Sequence, residues 1–244
     1  MPLDQPYYRP DLAYVFDQAF GFHAERCAPG VLTLLEPVRL AGGLVLEIGA
    51  GTGALTRHLT GAGHRVIATD ASPAMLAHCR HVPGVEEVRR LPLPDDPLPA
   101  CDAIVGVGHA VNYLPDLSAV HQALTVMAQA LRPGGLLAID VCDLAWGRAR
   151  ADAPDISHVS QDWALISRFS LPRPDHYVRE MTTFVKTTDG GWRRDDERHD
   201  NVLLDTAHLP PLLAAHGVHA HIGEAFGDEH LPEGLVTLIG HRDS

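Results

Sequence analysis

The feature that most constrains the fold is an apolar run that passes directly into closely spaced glycines: Leu44-Val45-Leu46-Glu47-Ile48-Gly49-Ala50-Gly51-Thr52-Gly53. The run lacks the alternation of polar and apolar residues that a half-exposed strand shows, which predicts a strand buried on both faces of a parallel sheet. Glycines at its end let the backbone approach a ligand closely. The segment therefore predicts an α/β fold with a nucleotide-sized ligand near its start.

A second apolar strand is predicted at residues 65–70, and it ends in Asp70. The spacing from Glu47 to Asp70 is close to the ~20 residues that separate a glycine loop from the acid that binds ribose hydroxyls. However, Gly49-x-Gly51-x-x-Ala54 also fits the dinucleotide fingerprint. The glycines alone therefore leave two cofactor classes open, one of them the nicotinamide dinucleotides.

Four motifs in sequence order distinguish these classes: Glu47-x-Gly49-x-Gly51-x-Gly53, Ala68-Thr69-Asp70-Ala71-Ser72-Pro73-x-Met75-Leu76, Cys101-Asp102-Ala103-Ile104-Val105-Gly106 and Leu131-Arg132-Pro133-Gly134-Gly135-Leu136-Leu137-Ala138-Ile139. Their order resembles the class I S-adenosylmethionine-dependent methyltransferases over roughly the central hundred residues. The resemblance implies S-adenosylmethionine as the cofactor and methyl transfer as the activity.

The resemblance also implies roles for individual residues. Glu47 steers the amino group of the cofactor, Asp70 binds both ribose hydroxyls, and Ser72 or Met75 lies near the adenine. Where the family often has an aspartate for the adenine amino group, this chain has Arg90 and Leu91, whose backbone would replace it. The remaining predicted cofactor-binding residues are Gly49, Ala50, Gly51, Gly53, Ala71, Gly106, Val107 and Gly108.

The predicted fold is a seven-stranded, mostly parallel sheet flanked by helices, with an antiparallel β cap inserted after the fifth strand. We predict an N-terminal helical lid at 1–40, a cofactor-binding core at 41–145, the cap at 146–204 and the rest of the core at 205–244. In the lid, apolar spacing predicts a helix over 11–20 capped by Asp11, and a second helix over 31–36 that ends before Pro37.

The composition of the chain limits the kinds of molecule that it is expected to bind. The 244 residues are 45% hydrophobic, enough for one α/β domain with an insertion, and 19 basic against 31 acidic residues give a formal charge of −12. This charge opposes nucleic-acid binding and favours a small-molecule acceptor. Four separated cysteines and the lack of an apolar run near ~20 residues predict a cytoplasmic protein outside the membrane. The sequence leaves open whether it is a homo-oligomer.

Methyl transfer is an in-line displacement, so acceptor residues are expected on the loops beside the cofactor. The loop after the fourth strand, 108–116, resembles the corresponding segment of glycine N-methyltransferase-like enzymes. There His109 is the first candidate base, and Asn112 and Tyr113 are candidates for contact with the acceptor. Tyr8 and Tyr14, in the segment that family members use as a lid, are further catalytic candidates.

In the cap, the residues that can shape a pocket are Trp146, Arg148, Arg168, Tyr177, Arg179 and Trp192. From the cap we select Trp146, Arg168 and His199 as residues that contact the substrate. Arg168 is selected because an arginine pairs with a carboxylate through its planar fork. No metal site is predicted, since Asp140 with Asp143 is the only local pair of oxygen ligands near the fifth strand.

We predict N-methylation of an amine or amino-acid-like metabolite. The alternatives are O-methylation of a secondary metabolite, an NAD(P)-dependent oxidoreductase, and a cofactor-binding protein without activity.

Overall fold

The computed structural model describes residues 7–244, and it contains a seven-stranded sheet and a four-stranded sheet. Residues 1–6 of the predicted lid lie outside the described residues. The elements in chain order are α1 (Pro10–Ala19), α2 (Phe22–Leu40), β1 (Leu44–Ile48), α3 (Ala54–Gly61), β2 (Arg65–Asp70), α4 (Pro73–Cys79), β3 (Glu87–Arg90), β4 (Cys101–Gly106), α5 (Leu117–Ala130), β5 (Leu131–Cys142), α6 (Leu144–Arg150), β6 (Ile156–Val159), β7 (Trp163–Arg173), β8 (His176–Lys186), β9 (Trp192–Val202), α7 (Leu209–Ala214), β10 (Val218–Gly223) and β11 (Leu235–Arg242).

The large sheet has the strand order β10-β11-β5-β4-β1-β2-β3, and only β11 runs against the others. The predicted seven-stranded, mostly parallel sheet is confirmed. The chain winds outward from β1 to β2 and β3, then returns to β4 on the other side of β1. Ligands of such sheets bind where the strand order reverses, at the carboxyl ends of the strands. The fold therefore places a crevice at the ends of β1 and β4.

The helices that precede β1 differ from the prediction. α2 runs from Phe22 to Leu40 through Pro29 and Pro37, whereas the sequence predicts an end before Pro37. A proline removes one helical hydrogen bond, but the apolar face of α2 packs into the core cluster that also contains β1, and this packing keeps the helix intact. The predicted cap of α1 is also wrong. Asp11 lies inside the helix, where its carboxylate accepts a hydrogen bond from Arg193 Nε at 2.7 Å.

The small sheet, here called the cap sheet, has the order β6-β7-β8-β9 and is antiparallel throughout, as predicted. It lies within the predicted range 146–204, from β6 at Ile156 to the end of β9 at Val202. The two faces of β9 alternate in character. Arg194 and Arg198 form ion pairs on its outer face, whereas Glu197 and His199 are buried on its inner face.

Residues 7–9, before α1, are held between the two sheets, and they are called the clasped segment below. Glu197 of β9 accepts a hydrogen bond from the backbone N–H of Tyr8 and another from that of Arg9, each at 2.8 Å, and contacts His199 Nε2 at 2.9 Å. From the other side, the Ser72 hydroxyl donates to the carbonyl of Tyr8 at 2.8 Å. Both contacts hold Tyr8 with a φ of 58°. No helix within residues 7–244 has the length and apolar character needed to span a bilayer.

Glu197→Gln tests this clasp. The variant replaces one acceptor oxygen with an NH₂ group, so one backbone N–H loses its partner. Loss of a hydrogen bond to a charged group costs about 1.5–3 kcal/mol, so we expect at least tenfold faster amide exchange at residues 8–9. Hydrogen exchange followed by mass spectrometry measures it. Glu180→Gln, at an exposed position on β8, is the control. Equal exchange at residues 8–9 in the two variants would show that Glu197 does not hold this segment.

Candidate functional site

A cavity of about 680 Å³ opens at the carboxyl ends of the parallel strands and extends to the inner face of the cap sheet. Its size is that of a small-molecule site, since ligand pockets measure ~300–1,000 Å³. Four parts of the chain form its walls: the glycine loop, the ends of β2 and β4 with their loops, the clasped segment, and the cap sheet with α6.

The glycine loop forms one wall because it carries no side chains there. Gly49 has a φ of 67° and Gly51 a φ of 57°, conformations that favour glycine. A Cβ on Gly49 would lie 2.6 Å from Ala110 Cβ, so this glycine also lets the loop after β4 pack against the end of β1. At Gly51 an added Cβ meets nothing within 4 Å, so the space above it is open to a ligand.

Asp70 joins the glycine loop to the end of β2. Its carboxylate accepts a hydrogen bond from Gly51 N at 2.9 Å and another from Ser72 N at 2.8 Å, and it lines the cavity. Burial raises the pKa of Asp70, although these backbone donors oppose the shift. A carboxylate has about four acceptor positions, so Asp70 keeps capacity for two hydroxyl donors.

Glu47 is the second acid of the cavity wall, and it is 2% exposed. Burial raises its pKa to about 8, and a hydrogen bond from the Thr56 hydroxyl at 2.7 Å opposes that shift. Such a carboxyl group is largely protonated at neutral pH until a cation binds beside it. Glu47 therefore suits the ammonium group of a ligand.

On the side of β3, an apolar surface formed by Leu91, Pro92 and Leu93 lines the cavity. Arg90 points away from it, is exposed, and donates a hydrogen bond to the carbonyl of Ala71 at 3.1 Å. Of the two residues predicted to replace the adenine-binding aspartate, only Leu91 lines the cavity, and its backbone N–H donates to the carbonyl of Asp70 at 3.0 Å. The other predicted cofactor residues that line the cavity are Ala50, Ala71, Ser72, Met75, Val107 and Gly108.

Gly53 and Gly106 do not line this cavity. Gly53 starts α3 with a φ of 88°, and a Cβ there would lie 2.6 Å from Val82. At Gly106 a Cβ would lie 2.9 Å from the carbonyl oxygen of Ile48. Both glycines thus allow close packing of the elements around the site and do not face the ligand space.

The loop after β4 is fixed by Asp140, a fully buried carboxylate on β5. It accepts hydrogen bonds from Gly108 N at 2.9 Å and His109 N at 2.6 Å, and contacts His23 Nε2 of α2 at 2.8 Å. Burial alone would raise its pKa, but the contact with His23 and the backbone donor lower it overall. In the sequence, Asp140 and Asp143 stand out only as a pair of possible oxygen ligands for a metal. In the structure, Asp143 caps α6.

Nothing in the sequence connects His23 with Asp140, because the two residues lie in different elements far apart in the chain. Within residues 7–244, no group of three or more His, Cys, Asp and Glu side chains is arranged to hold a metal ion. The Asp140 carboxylate holds the loop after β4 through its hydrogen bonds from the backbone of Gly108 and His109.

His109 is held in the left-handed region, with a φ of 49°. Its ring is stacked on Tyr113 with centroids 5.5 Å apart and lies 5.7 Å from the ring of Trp146. Nδ1 is shielded from solvent and has no hydrogen-bond partner among the described residues. Burial lowers the pKa of His109 to about 4, so the imidazole is neutral at pH 7 and has an uncommitted ring nitrogen.

Three tyrosines adjoin this imidazole. The hydroxyls of Tyr8 and Tyr113 lie 2.8 Å apart, and the ring of Tyr7 meets that of Tyr113 edge to face. All three line the cavity. Burial raises the pKa of Tyr8 and of Tyr113, so both phenols stay protonated at neutral pH. They are hydrogen-bonding groups rather than bases.

Four of the residues predicted to be catalytic or to contact the substrate do not line the cavity. Tyr14 packs in the apolar cluster between α1 and the cap sheet, and Arg168 is exposed on the outer face, paired with Asp155 at 2.8 Å. His199 lies behind the tyrosines, held by Glu197. Asn112 is completely buried, where its side chain bonds to Cys142 N and O and to the carbonyl of Val202.

Several residues that line the cavity were not predicted from the sequence, among them Phe16, Phe20, His23, Arg150, His158 and Phe169. Arg179 was predicted only as one of several cap residues that can shape a pocket. The signal for it was available, because alternation along β8 places Arg179 on the same face as the buried Tyr177 and Met181.

The chain is similar to known methyltransferases. Residues 46–139 match the family model described as a methyltransferase domain. The malonyl-[acyl-carrier protein] O-methyltransferase of Pectobacterium atrosepticum is 30% identical over 171 residues, 66% of this chain and 61% of that protein. The chain spans 35% to 65% of the length of the first curated relatives that it matches.

Two solved structures have the same fold over nearly their whole length. An S-adenosylmethionine-dependent methyltransferase from Clostridium acetobutylicum has a TM-score of 0.78 at 15% identity, covering 95% of this chain and 98% of that one. The sugar N-methyltransferase KedS8 from Streptoalloteichus has a TM-score of 0.78 at 21% identity, covering 98% and 96%. Residues 46–139 therefore form a methyltransferase domain, and the chain as a whole has the fold of these two methyltransferases.

Proposed function

We propose that this protein transfers a methyl group to an amine nitrogen of a small molecule bound between the loop after β4 and the cap sheet. S-adenosylmethionine supplies the electrophilic methyl group. The backbone at Gly49 and Gly51 leaves room for it, Asp70 keeps acceptor capacity for the ribose hydroxyls, and Glu47 is buried where an ammonium group would be balanced.

The rest of the cavity positions the acceptor. Displacement at a methyl group needs alignment of the nucleophile and exclusion of water more than it needs covalent chemistry. The clasped segment with Tyr7 and Tyr8 closes one side, and the cap sheet closes another through Ser167 and Phe169. His109 lies between the aromatic wall and the loop residue that packs on Gly49.

The observation that carries the choice of nitrogen is the neutral imidazole of His109. Methylation of an amine moves positive charge onto nitrogen, and a neutral imidazole on the cavity wall can accept a hydrogen bond from that nitrogen as the charge develops. A hydroxyl acceptor must lose its proton, and a group with a pKa of about 4 is a weak base for that step.

His23, the other imidazole near the Asp140 carboxylate, has no free ring nitrogen for this task. Its Nε2 contacts Asp140 at 2.8 Å, and its Nδ1 lies 3.9 Å from Cys27 Sγ.

The relatives leave the acceptor open. KedS8 is a sugar N-methyltransferase, and the Pectobacterium relative is an O-methyltransferase of an acyl-carrier-protein ester. Because one fold serves both reactions, the residues around the acceptor must decide. O-methylation is the outcome that the next experiment distinguishes.

The test is transfer of label from methyl-labelled S-adenosylmethionine to matched pairs of compounds that differ only in amine and hydroxyl, such as glucosamine with glucose and 2-phenylethylamine with 2-phenylethanol. We expect label on nitrogen, identified by mass spectrometry. Label on the hydroxyl members alone, or on no amine of a broad panel, contradicts the proposal.

The same assay tests His109 with two variants that tolerate its backbone conformation. His109→Gly accepts the positive φ but removes the imidazole, whereas His109→Asn keeps a hydrogen-bond acceptor. We expect kcat to fall about 10²-fold in the glycine variant and less in the asparagine variant, with unchanged cofactor affinity. Equal and normal kcat values in both would reduce His109 to a loop residue.

The raised pKa of Glu47 predicts a pH-dependent cofactor affinity. Below pH 8 the free carboxyl group is mainly protonated, and an ammonium group beside it favours the ionised form, so binding releases a proton. Between about pH 6 and 7.5, affinity for S-adenosylhomocysteine should rise with pH by up to about tenfold per unit. Glu47→Gln, which does not titrate, should lose this slope.

Titration calorimetry at several pH values measures the effect. Glu36→Gln, at a partly buried position on α2 that does not line the cavity, should keep the wild-type slope. A slope in Glu47→Gln equal to that of the wild type would assign the proton to another group.

A further inference from the structure

We propose that Arg179 binds an anionic group of the acceptor, so that the substrate is an amine that also carries a carboxylate or a phosphate. The proposal rests on the proposed function, since it concerns the acceptor half of the same cavity. Both anions present coplanar or near-coplanar oxygens to the fork of a guanidinium group.

Arg179 lies at the centre of the inner face of the cap sheet. It is in register with Phe169 of β7 on one side and His199 of β9 on the other. Its guanidinium carbon lies 5.5 Å from the centroid of the Phe16 ring, and both residues line the cavity. The side chain is thus held between aromatic groups and directed toward the ligand space.

The hydrogen-bonding capacity of Arg179 is almost unused. Its one side-chain hydrogen bond among residues 7–244 is donated to the Ser167 hydroxyl at 3.5 Å, and its Nε is shielded from solvent with no partner among the same residues. A guanidinium group has five N–H donors, and removing them from water without partners is costly. A ligand with acceptor oxygens would satisfy them.

Arg179 differs in this respect from every other arginine of the cap strands. Each of the others lies within 4.0 Å of a carboxylate: Arg168 of Asp155, Arg173 of Asp175, Arg193 of Asp11, Arg194 of Asp196, and Arg198 of Asp200. Within residues 7–244, Arg179 has no such partner. A chain with 31 acids and a formal charge of −12 thus leaves its inward-facing cap arginine without one.

The distribution of charge along the cavity points the same way. The acids that line it are Glu47 and Asp70, both at the ends of parallel strands in the cofactor half. In the acceptor half, Arg150 of α6 adds a second cation, which lies 3.3 Å over the Trp146 ring and donates to the carbonyls of Trp146 and Glu233. This half favours an anion and disfavours a purely cationic amine.

The amine and the anion fit one molecule. Both side chains line the cavity, and the charge of Arg179 contributes to the lowered pKa of His109, after burial and the charge of His23 and against the opposing effect of the Asp140 carboxylate. An amine hydrogen-bonded to His109 would therefore have its acidic group within reach of Arg179.

Binding to the protein saturated with S-adenosylhomocysteine tests the proposal without any methyl transfer. The probes are two pairs that differ by the anionic group: phenylalanine with 2-phenylethylamine for a carboxylate, and glucosamine 6-phosphate with glucosamine for a phosphate. Titration calorimetry gives the affinities. In at least one pair we expect the anionic member to bind at least about tenfold tighter, and the pair that shows it identifies the anion.

Arg179→Met should abolish that preference, and Arg194→Met, at an exposed position on the outer face of the same sheet, should keep it. If Arg179→Met fails to fold, Arg179→Gln is judged by the same criterion. No preference for the anionic member in either pair, including no binding at all, overturns the proposal, as does a preference that survives the loss of Arg179. Because no methyl group is transferred, these results stand apart from the label-transfer test of the proposed function.

Discussion

The close approach of backbone segments at the carboxyl end of β1 is the constraint on which the rest of the structure depends. The chain leaves a buried strand at Gly49 with a positive φ, and the loop after β4 packs so closely there that an added Cβ would lie 2.6 Å from Ala110. One turn of chain thereby determines where the cofactor half of the cavity lies and where the acceptor loop begins. Gly106 allows β4 to meet β1 just below this point.

The polar groups around this point divide into two sets. Asp70 and Asp140 are tied to backbone N–H groups, so they shape the loops that surround the cavity. Three residues that line the cavity, His109, Trp146 and Arg179, each have a buried nitrogen with no hydrogen-bond partner among the described residues. Buried polar groups in proteins are normally hydrogen-bonded, so such residues on a cavity wall are candidates for contact with a ligand. In the proposed function, two of them recognise the acceptor, His109 at its amine and Arg179 at its anion.

Sequence patterns predicted the parts of the fold that depend on neighbouring residues. The apolar strands at 44–48 and 65–70 and the antiparallel insertion are local signals, and the structure has them. The continuation of α2 through Pro37 was missed because packing against distant strands stabilises it. The pairing of His23 with Asp140 was missed for the same reason, since no local pattern reports a contact between remote elements.

The choice between Arg168 and Arg179 shows a different limit. Both lie on strands that were predicted, and only the parity of each position decides which side faces the cavity. Residues 165 and 167 are buried and 168 is exposed, so period-two alternation directs Arg168 outward. The prediction selected an arginine for its chemistry without applying that alternation. Site residues in a half-buried sheet therefore need register as well as residue type.

In the proposed function, a sulfonium nucleoside binds over the glycine loop with its sugar at Asp70. Titration calorimetry of the purified protein with S-adenosylhomocysteine, NAD and NADP, in parallel with Asp70→Asn, measures this binding. We expect one site for S-adenosylhomocysteine, no binding of either dinucleotide, and about tenfold or greater weakening in the variant, because an amide offers one acceptor oxygen in place of two. Binding of NAD or NADP without S-adenosylhomocysteine would contradict it.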